Sequence, residues 1–305
     1  MVSPFEPASV EELSAGLAGV SYFAEPPLAT AIYLALRLSR PLLLEGEAGV
    51  GKTEVAKALS ALTGRRLVRL QCYEGLDLSS AAYEWDYSRQ LLAIRLAEAE
   101  SKAGSLDPQA LQRRLFSREF LLERPLLTAL ISPEPALLLI DEVDRADEEF
   151  EAYLLEVLSD FQLTVPELGT LKATAPPVVI LTSNRTREIH DALRRRCLYC
   201  WIDYPTFDKE LAIVRAKVPA AGEELAREVV RFVEALRAED LYKRPGVAET
   251  LDWATALTVL HRERLSREAV EATLGVLLKV QDDVEAVKTG ALDRALAQAA
   301  AGAAR

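Results

Sequence analysis

The run Gly46-Glu47-Ala48-Gly49-Val50-Gly51-Lys52-Thr53 fits G-x-x-x-x-G-K-[ST], a spacing with a definite chemistry. The glycines let the backbone curl so that successive N–H groups face a phosphate, helped by the N-terminus of the helix that follows. Lys52 is then the cation for the β and γ phosphates of ATP, and Thr53 is a hydroxyl ligand for Mg²⁺. With Glu54, this run makes up the candidate nucleotide-binding set. A second group is Leu137-Leu138-Leu139-Ile140-Asp141-Glu142, an apolar run ending in two carboxylates. A buried strand of that kind delivers charge to the edge of a parallel sheet where α/β proteins bind ligands. Asp141 is suited to hold Mg²⁺ through water, and Glu142 suits a base that orients and deprotonates an attacking water. Asn184, just past the run Val178–Thr182, is either a turn residue or a holder of that water. Arg194-Arg195-Arg196 is either a solvated helix face or a source of one guanidinium for a neighbouring subunit's nucleotide.

These residues need elements to hold them. The apolar runs Leu42–Glu45, Leu67–Gln71, Leu137–Asp141, Val178–Thr182 and Cys200–Asp203 read as buried strands, and helical spacing covers 9–18, 27–38 and 53–62. Strands apolar on both faces, alternating with helices, predict a parallel five-stranded sheet flanked by helices. Between Cys72 and Glu134 the sheet pattern pauses. There Leu92, Leu96, Ala99 and Ala103 share a helical face, and Asp107-Pro108 is an N-cap with a first-turn proline. Tyr83, Trp85 and Tyr87 alternate with acids and place three rings on one face of an extended segment, for strand packing or for client contact. From Phe207 onward the spacing is helical, broken at Arg244-Pro245-Gly246. The expected division is an α/β domain over 1–205 and an all-helical domain over 206–305.

Composition narrows the function. The 305 residues are 50% apolar and 27% charged, with a net charge of −11, which opposes bulk binding to nucleic acid or anionic lipid. The acids concentrate in 141–151, where the later ones suit a solvated helix start. No apolar run approaches the length of a membrane span, and the first residues lack the pattern of a signal peptide, so a reducing cytoplasm is the expected compartment. Cys72, Cys197 and Cys200 are expected to be buried thiols; a single C-x-x-C with only two histidines in the chain makes a poor zinc site.

Together the motifs resemble an AAA+ ATPase, and within it the MoxR branch, from about Ser21 to Leu278. Gly46–Thr53 resembles Walker A, and Leu137–Glu142 resembles Walker B with its catalytic glutamate. Asn184 matches sensor 1, and Arg196 matches the arginine finger, with Arg195 as the alternative. Residues 161–175 look like the hairpin inserted before sensor 1, and 72–133 like an enlarged helix-2 insert region. The runs Leu70–Asp77 and Arg244–Trp253 are similar to the ATPases associated with carbon monoxide dehydrogenase maturation (CoxD-like). That resemblance implies a homo-hexameric ring and Mg²⁺-dependent ATP hydrolysis between subunits. It also implies a partner carrying a von Willebrand factor A domain, and a client protein, such as a metalloenzyme, to be remodelled or loaded with metal. One departure is that the helix starting near Ala248-Glu249-Thr250 has no sensor 2 arginine in its first turn, leaving Arg244 as a substitute. A competing reading is a ring ATPase acting on nucleic acid, with Arg113, Arg114 and Arg118 as its basic patch.

Overall fold

The computed structural model describes residues 5–100 and 107–301. Its strands are β1 (Leu42–Gly46), β2 (Leu67–Gln71), β3 (Tyr83–Trp85), β4 (Leu121–Glu123), β5 (Leu137–Asp141), β6 (Gln162–Val165), β7 (Gly169–Lys172), β8 (Val178–Ser183) and β9 (Leu198–Ile202). Five of them form one parallel sheet in the order β2-β5-β8-β1-β9. Every residue of β1 and β5 is buried, which is why both read as unbroken apolar runs rather than alternating ones. β2 lies at the edge of the sheet and alternates, with Arg69 exposed between buried Val68 and Leu70. The last strand begins two residues earlier than its sequence run, at Leu198, whose N–H donates to Pro41 O at 2.7 Å.

Register decides what the sheet can present. Gln71 pairs with Asp141, Ile140 with Leu181, and Leu44 with Thr182. The C-terminal ends of β2, β5, β8 and β1 therefore finish level, and the chemistry-bearing residues at those ends share one edge. The two small antiparallel pairs lie outside this sheet. β3 pairs with β4, and β6 with β7 in a hairpin whose register joins Val165 to Gly169.

The chain packs as two compact units whose segments interleave in sequence. The first is built mainly from Thr30–Glu45 and Leu59–Cys200. Its core includes Leu43, Leu70, Leu138, Ile140, Leu181 and Leu154. The second comprises Pro7–Ala29, Gly46–Ala58 and Trp201–Arg305. Packing thus groups the phosphate loop and the N-terminal helix Val10–Gly19 with the C-terminal helices, whereas the sequence division falls at residue 205.

Within the second unit the helix Gly222–Arg237 buries Leu225, Val229, Val233 and Leu236, one face at helical spacing. At its end Arg237 makes a two-pronged pair with buried Glu210 at 2.6 and 2.8 Å, and donates to Pro245 O at 2.8 Å. Glu210 also accepts Thr250 Oγ1 at 2.7 Å. Three helices are thereby tied to the Pro245-Gly246 turn, which fixes where the helix Val247–Val259 begins.

Candidate active site

The phosphate loop runs from the end of β1 into the helix Lys52–Thr63. Gly49 and Gly51 have φ of +79° and +94°, a region side chains with a Cβ rarely enter, so both glycines are required by the curl. Lys52 is 6% exposed, and its Nζ donates to Gly46 O and Glu47 O, each at 2.7 Å. The ammonium is thus held by the loop's own carbonyls. Gly246 and the helix it precedes close over the loop, with Val247 N donating to Gly49 O at 2.9 Å. No arginine occupies that helix's first turn, where Glu249 instead caps the N–H of Gly246 at 3.0 Å.

Two cavities flank this loop inside the second unit. One, about 240 Å³, is walled by Tyr22, Phe23, Val50, Pro205, Ile213 and Leu251, an apolar slot suited to a nucleotide base. Glu54 and Gly51 also border it. The other, about 270 Å³, lies between Glu47-Ala48 and Lys243-Arg244. Buried Asp283 sets the approach of those two cations by accepting the N–H groups of Tyr242 and Lys243 at 2.8 and 3.0 Å. Lys243 and Arg244 are therefore the cations that border this side of the loop.

The first unit carries its own group of candidate residues, at the level ends of β2, β5 and β8. Asp141 is 3% exposed, and its Oδ1 accepts Thr182 Oγ1 at 2.5 Å. The same hydroxyl accepts the N–H of Glu142 at 2.9 Å. Glu142 has φ 55° and ψ 50°, a left-handed backbone that costs free energy and persists only where neighbours hold it. Its carboxylate accepts Gln71 Nε2 at 3.0 Å and Arg145 Nη1 at 3.1 Å, and Asn184 Nδ2 stands 3.5 Å away. Asp141, Glu142 and Asn184 are thus brought together. The negative field of the carboxylates at this edge reaches the buried thiol of Cys72. Burial, then Asp141, Asp144, Glu142 and Glu151, pushes that thiol up to about 12.

These groups fit a magnesium ion. Among the described residues no cluster of three or more His, Cys, Asp or Glu side chains could cage a metal. One buried carboxylate and a threonine hydroxyl, with water and phosphate completing the shell, is the donor set magnesium ordinarily takes beside a nucleotide. Asp141 in the first unit and Thr53 in the second each carry one donor of that kind.

Residues 41–197, just over half of the chain, match the family described as AAA domain (dynein-related subfamily). The chain belongs to this AAA family. Relatives include uncharacterized proteins of Staphylococcus epidermidis, 26% identical over 82% of this chain and 88% of theirs, and of Staphylococcus haemolyticus, 25% identical over 82% and 89%. Among solved structures, a point mutant of RuvB from Thermotoga maritima is similar with a TM-score of 0.49 and 18% identity. It covers 92% of this chain and 76% of its own.

In this AAA domain the three arginines part company. Arg194 turns inward and pairs with Glu45 Oε2 at 2.9 Å, at the end of β1. Arg195 and Arg196 are exposed on the helix Asp191–Arg196, where Arg196 Nε donates to Ser159 Oγ at 2.6 Å. Exposure leaves these two, and not Arg194, available to another subunit. Arg114 and Arg118 lie within 4 Å of Glu119 and Glu123, and Arg113 donates to Gln109 O, so acids offset the basic patch.

The acid-rich run divides too. Asp147 caps its helix by accepting Phe150 N, and Glu148 and Glu149 are exposed, as a solvated helix start requires. Asp144 and Glu151 are different, being buried and spent on the loop after β8. Asp144 Oδ2 accepts the N–H groups of Asn184 and Thr186 at 3.2 and 2.8 Å, while Glu151 accepts His190 N at 2.7 Å and pairs with Arg187. The position of Asn184 depends on them. The sequence motifs assign no role to Arg69, Gln71 or Thr182; a polar residue near the end of an apolar strand is the available signal for Gln71 and Thr182, whereas Arg69 sits at the centre of β2.

The three rings of 83–87 do not share a face. Trp85 is 7% exposed and meets Phe116 edge-on at 5.2 Å, so it packs rather than projects. Tyr87 opens the helix Tyr87–Glu100 and is exposed. Leu92 and Leu96 on that helix are exposed as well, and Ala103 lies outside the described residues. Asp107 caps its helix through Gln109 N. All three cysteines are buried. Among the described residues no helix is long and apolar enough to cross a membrane.

Proposed function

We propose that this AAA domain hydrolyses ATP and uses the cycle to remodel a client protein, in the manner of MoxR-type chaperones. The observation that carries the hydrolytic reading is the placement of Glu142. It is a base held in a left-handed turn by Thr182, beside Asp141 and within reach of Asn184. Lys52 and the loop N–H groups bind the polyphosphate, and the apolar slot takes the base. Magnesium, when bound, withdraws charge from the phosphate oxygens. Glu142 receives the proton of the attacking water, Asn184 orients that water, and Arg196 of an adjacent subunit, or Arg195, stabilises the transferring phosphoryl group.

The β6–β7 hairpin and the β3–β4 pair with its helices support the remodelling part, because they are elaborations outside the five-stranded sheet. A hexameric ring, a von Willebrand factor A domain partner and a metalloenzyme client belong to the same proposal. Glu142→Gln is the direct test. The variant is expected to bind ATP with unchanged affinity while turnover falls by at least about a hundredfold. Turnover at the wild-type rate would remove Glu142 from the role of base.

A further inference from the structure

Arg69 carries a charge at the central position of β2. It points away from the core and reaches the last residue of the neighbouring strand. Its Nη2 and Nε both donate to Asp141 Oδ2, at 2.6 and 3.0 Å. The same Nη2 donates to Gln71 Oε1 at 2.5 Å, and Gln71 Nε2 in turn donates to Glu142 Oε2. Arg69 and Gln71 are two positions apart on β2, so they share a face of the strand. One guanidinium therefore links the carboxylate that suits a metal to the carboxylate that suits a base.

The partners differ in burial. The Asp141 side chain is 4% exposed and needs a cation, whereas Arg69 is 51% exposed and can withdraw into water at little cost. Two N–H groups already crowd Oδ2, so a magnesium-bound water approaching that oxygen must displace at least one of them. We propose that Arg69 is a positioning residue that occupies Asp141 until a divalent cation replaces it. The exchange removes the partner of Gln71 Oε1 and loosens the hold of Gln71 on Glu142. Arrival of the metal would thus free the base. This inference rests on the nucleotide-hydrolysing reading above.

The test is Mn²⁺ binding in the presence of ADP, followed by electron paramagnetic resonance, alongside fluorescent-ADP binding without metal. The proteins are wild type, Arg69→Met, which keeps the apolar stem, and Arg69→Lys. For Arg69→Met the Mn²⁺ concentration at half-saturation is expected to fall three- to tenfold, with metal-free ADP affinity unchanged. Arg69→Lys, a single point charge in place of a fork, is expected to lie between the two. Folding of each variant is checked by its thermal transition, and Arg69→Gln replaces Arg69→Met if the latter does not fold. An unchanged Mn²⁺ titration in a folded variant that binds ADP overturns the exchange while leaving hydrolysis intact. A weaker titration overturns it as well, because Arg69 would then be helping to present Asp141 rather than competing for it. Failure of the wild type to bind ADP overturns both readings.

Discussion

Gly49 in the phosphate loop accepts the backbone N–H of Val247 at 2.9 Å, which bonds the first turn of a C-terminal helix directly to the loop. The approach is close because both sides are glycine. A methyl at Gly246 would stand 2.7 Å from Gly49 Cα and 2.9 Å from its carbonyl oxygen. The φ of Gly246 is −86°, which alanine tolerates, so contact alone opposes the substitution. Gly246→Ala is expected to cost about 1–3 kcal/mol of stability and to weaken ADP binding roughly tenfold. Gly275 is the control: it lies within the helix Arg267–Leu277 with open space around its Cα. Gly275→Ala should stabilise by about 0.5–1 kcal/mol and leave ADP binding alone. Urea denaturation and a fluorescent-ADP titration of both variants decide the matter.

Thr182 serves two neighbours with one hydroxyl, donating to Asp141 and accepting from Glu142. Thr182→Val keeps the shape and removes the hydroxyl, leaving a buried carboxylate oxygen and a backbone N–H each short of a partner. Unsatisfied buried groups cost about 1–3 kcal/mol each, so a loss near 3 kcal/mol is expected. Turnover should fall at least about tenfold, because the left-handed turn of Glu142 is no longer pinned. Thr182→Ser should restore most of both. A stable Thr182→Val protein with full activity would mean that the turn holds without the hydroxyl.

The arginine helix separates structural from functional charge. Arg194 pairs with Glu45, a carboxylate only 2% exposed at the end of β1. Arg194→Ala strands that charge and is expected to cost about 2 kcal/mol, a value reduced from the fully buried case because Arg194 is itself partly in water. Arg196→Ala should change stability by less than about 0.5 kcal/mol. If Arg196 serves a neighbouring subunit, its loss should lower turnover by about a thousandfold while ATP binding and assembly persist. Wild-type specific activity should then rise with protein concentration as subunits associate. A rate independent of concentration and untouched in Arg196→Ala and Arg195→Ala would mean a self-contained site.

Much of this architecture was legible because burial writes a simple pattern. β1, β5 and β8 are covered on both faces, so their sequences are continuous apolar runs, and their ends fall where the charged or polar residues begin. The phosphate loop announces itself because few residue types permit its curl. The supporting shell was harder to read. Asp144 and Glu151 look like members of a solvated acidic run until the loop after β8 folds onto them, and pairing over about forty residues leaves no local trace. Arg69 likewise has an ordinary exposed position on an edge strand, and only the register of β2 against β5 sets it opposite the acids. Trp85 and Tyr87 separated because the strand ends between them, a boundary that alternation alone does not mark.

The buried thiols give a prediction that needs no ligand. Burial pushes Cys72 and Cys197 up to about 12, from an ordinary value near 9; the neighbouring acids add to the effect at Cys72, while Arg40 opposes it at Cys197. Because the folded value is the higher one, the folded state keeps its protons while the unfolded chain loses them. Stability from this source is complete below about pH 8.5, declines as the pH rises, and is gone by about pH 12. Each thiol should contribute a slope of about 1.4 kcal/mol per pH unit across that window. Denaturation of wild type, Cys72→Ala and Cys197→Ala between pH 8 and 11 measures this, and each substitution should remove one thiol's share of the slope. In the folded protein at pH 8 a thiol reagent should modify Cys72 at the rate at which the structure opens, not at the rate of a free thiol. Rapid modification without unfolding would place Cys72 in contact with solvent. The acidic edge beside it would then be wet, and the burial of Asp141 would be wrong.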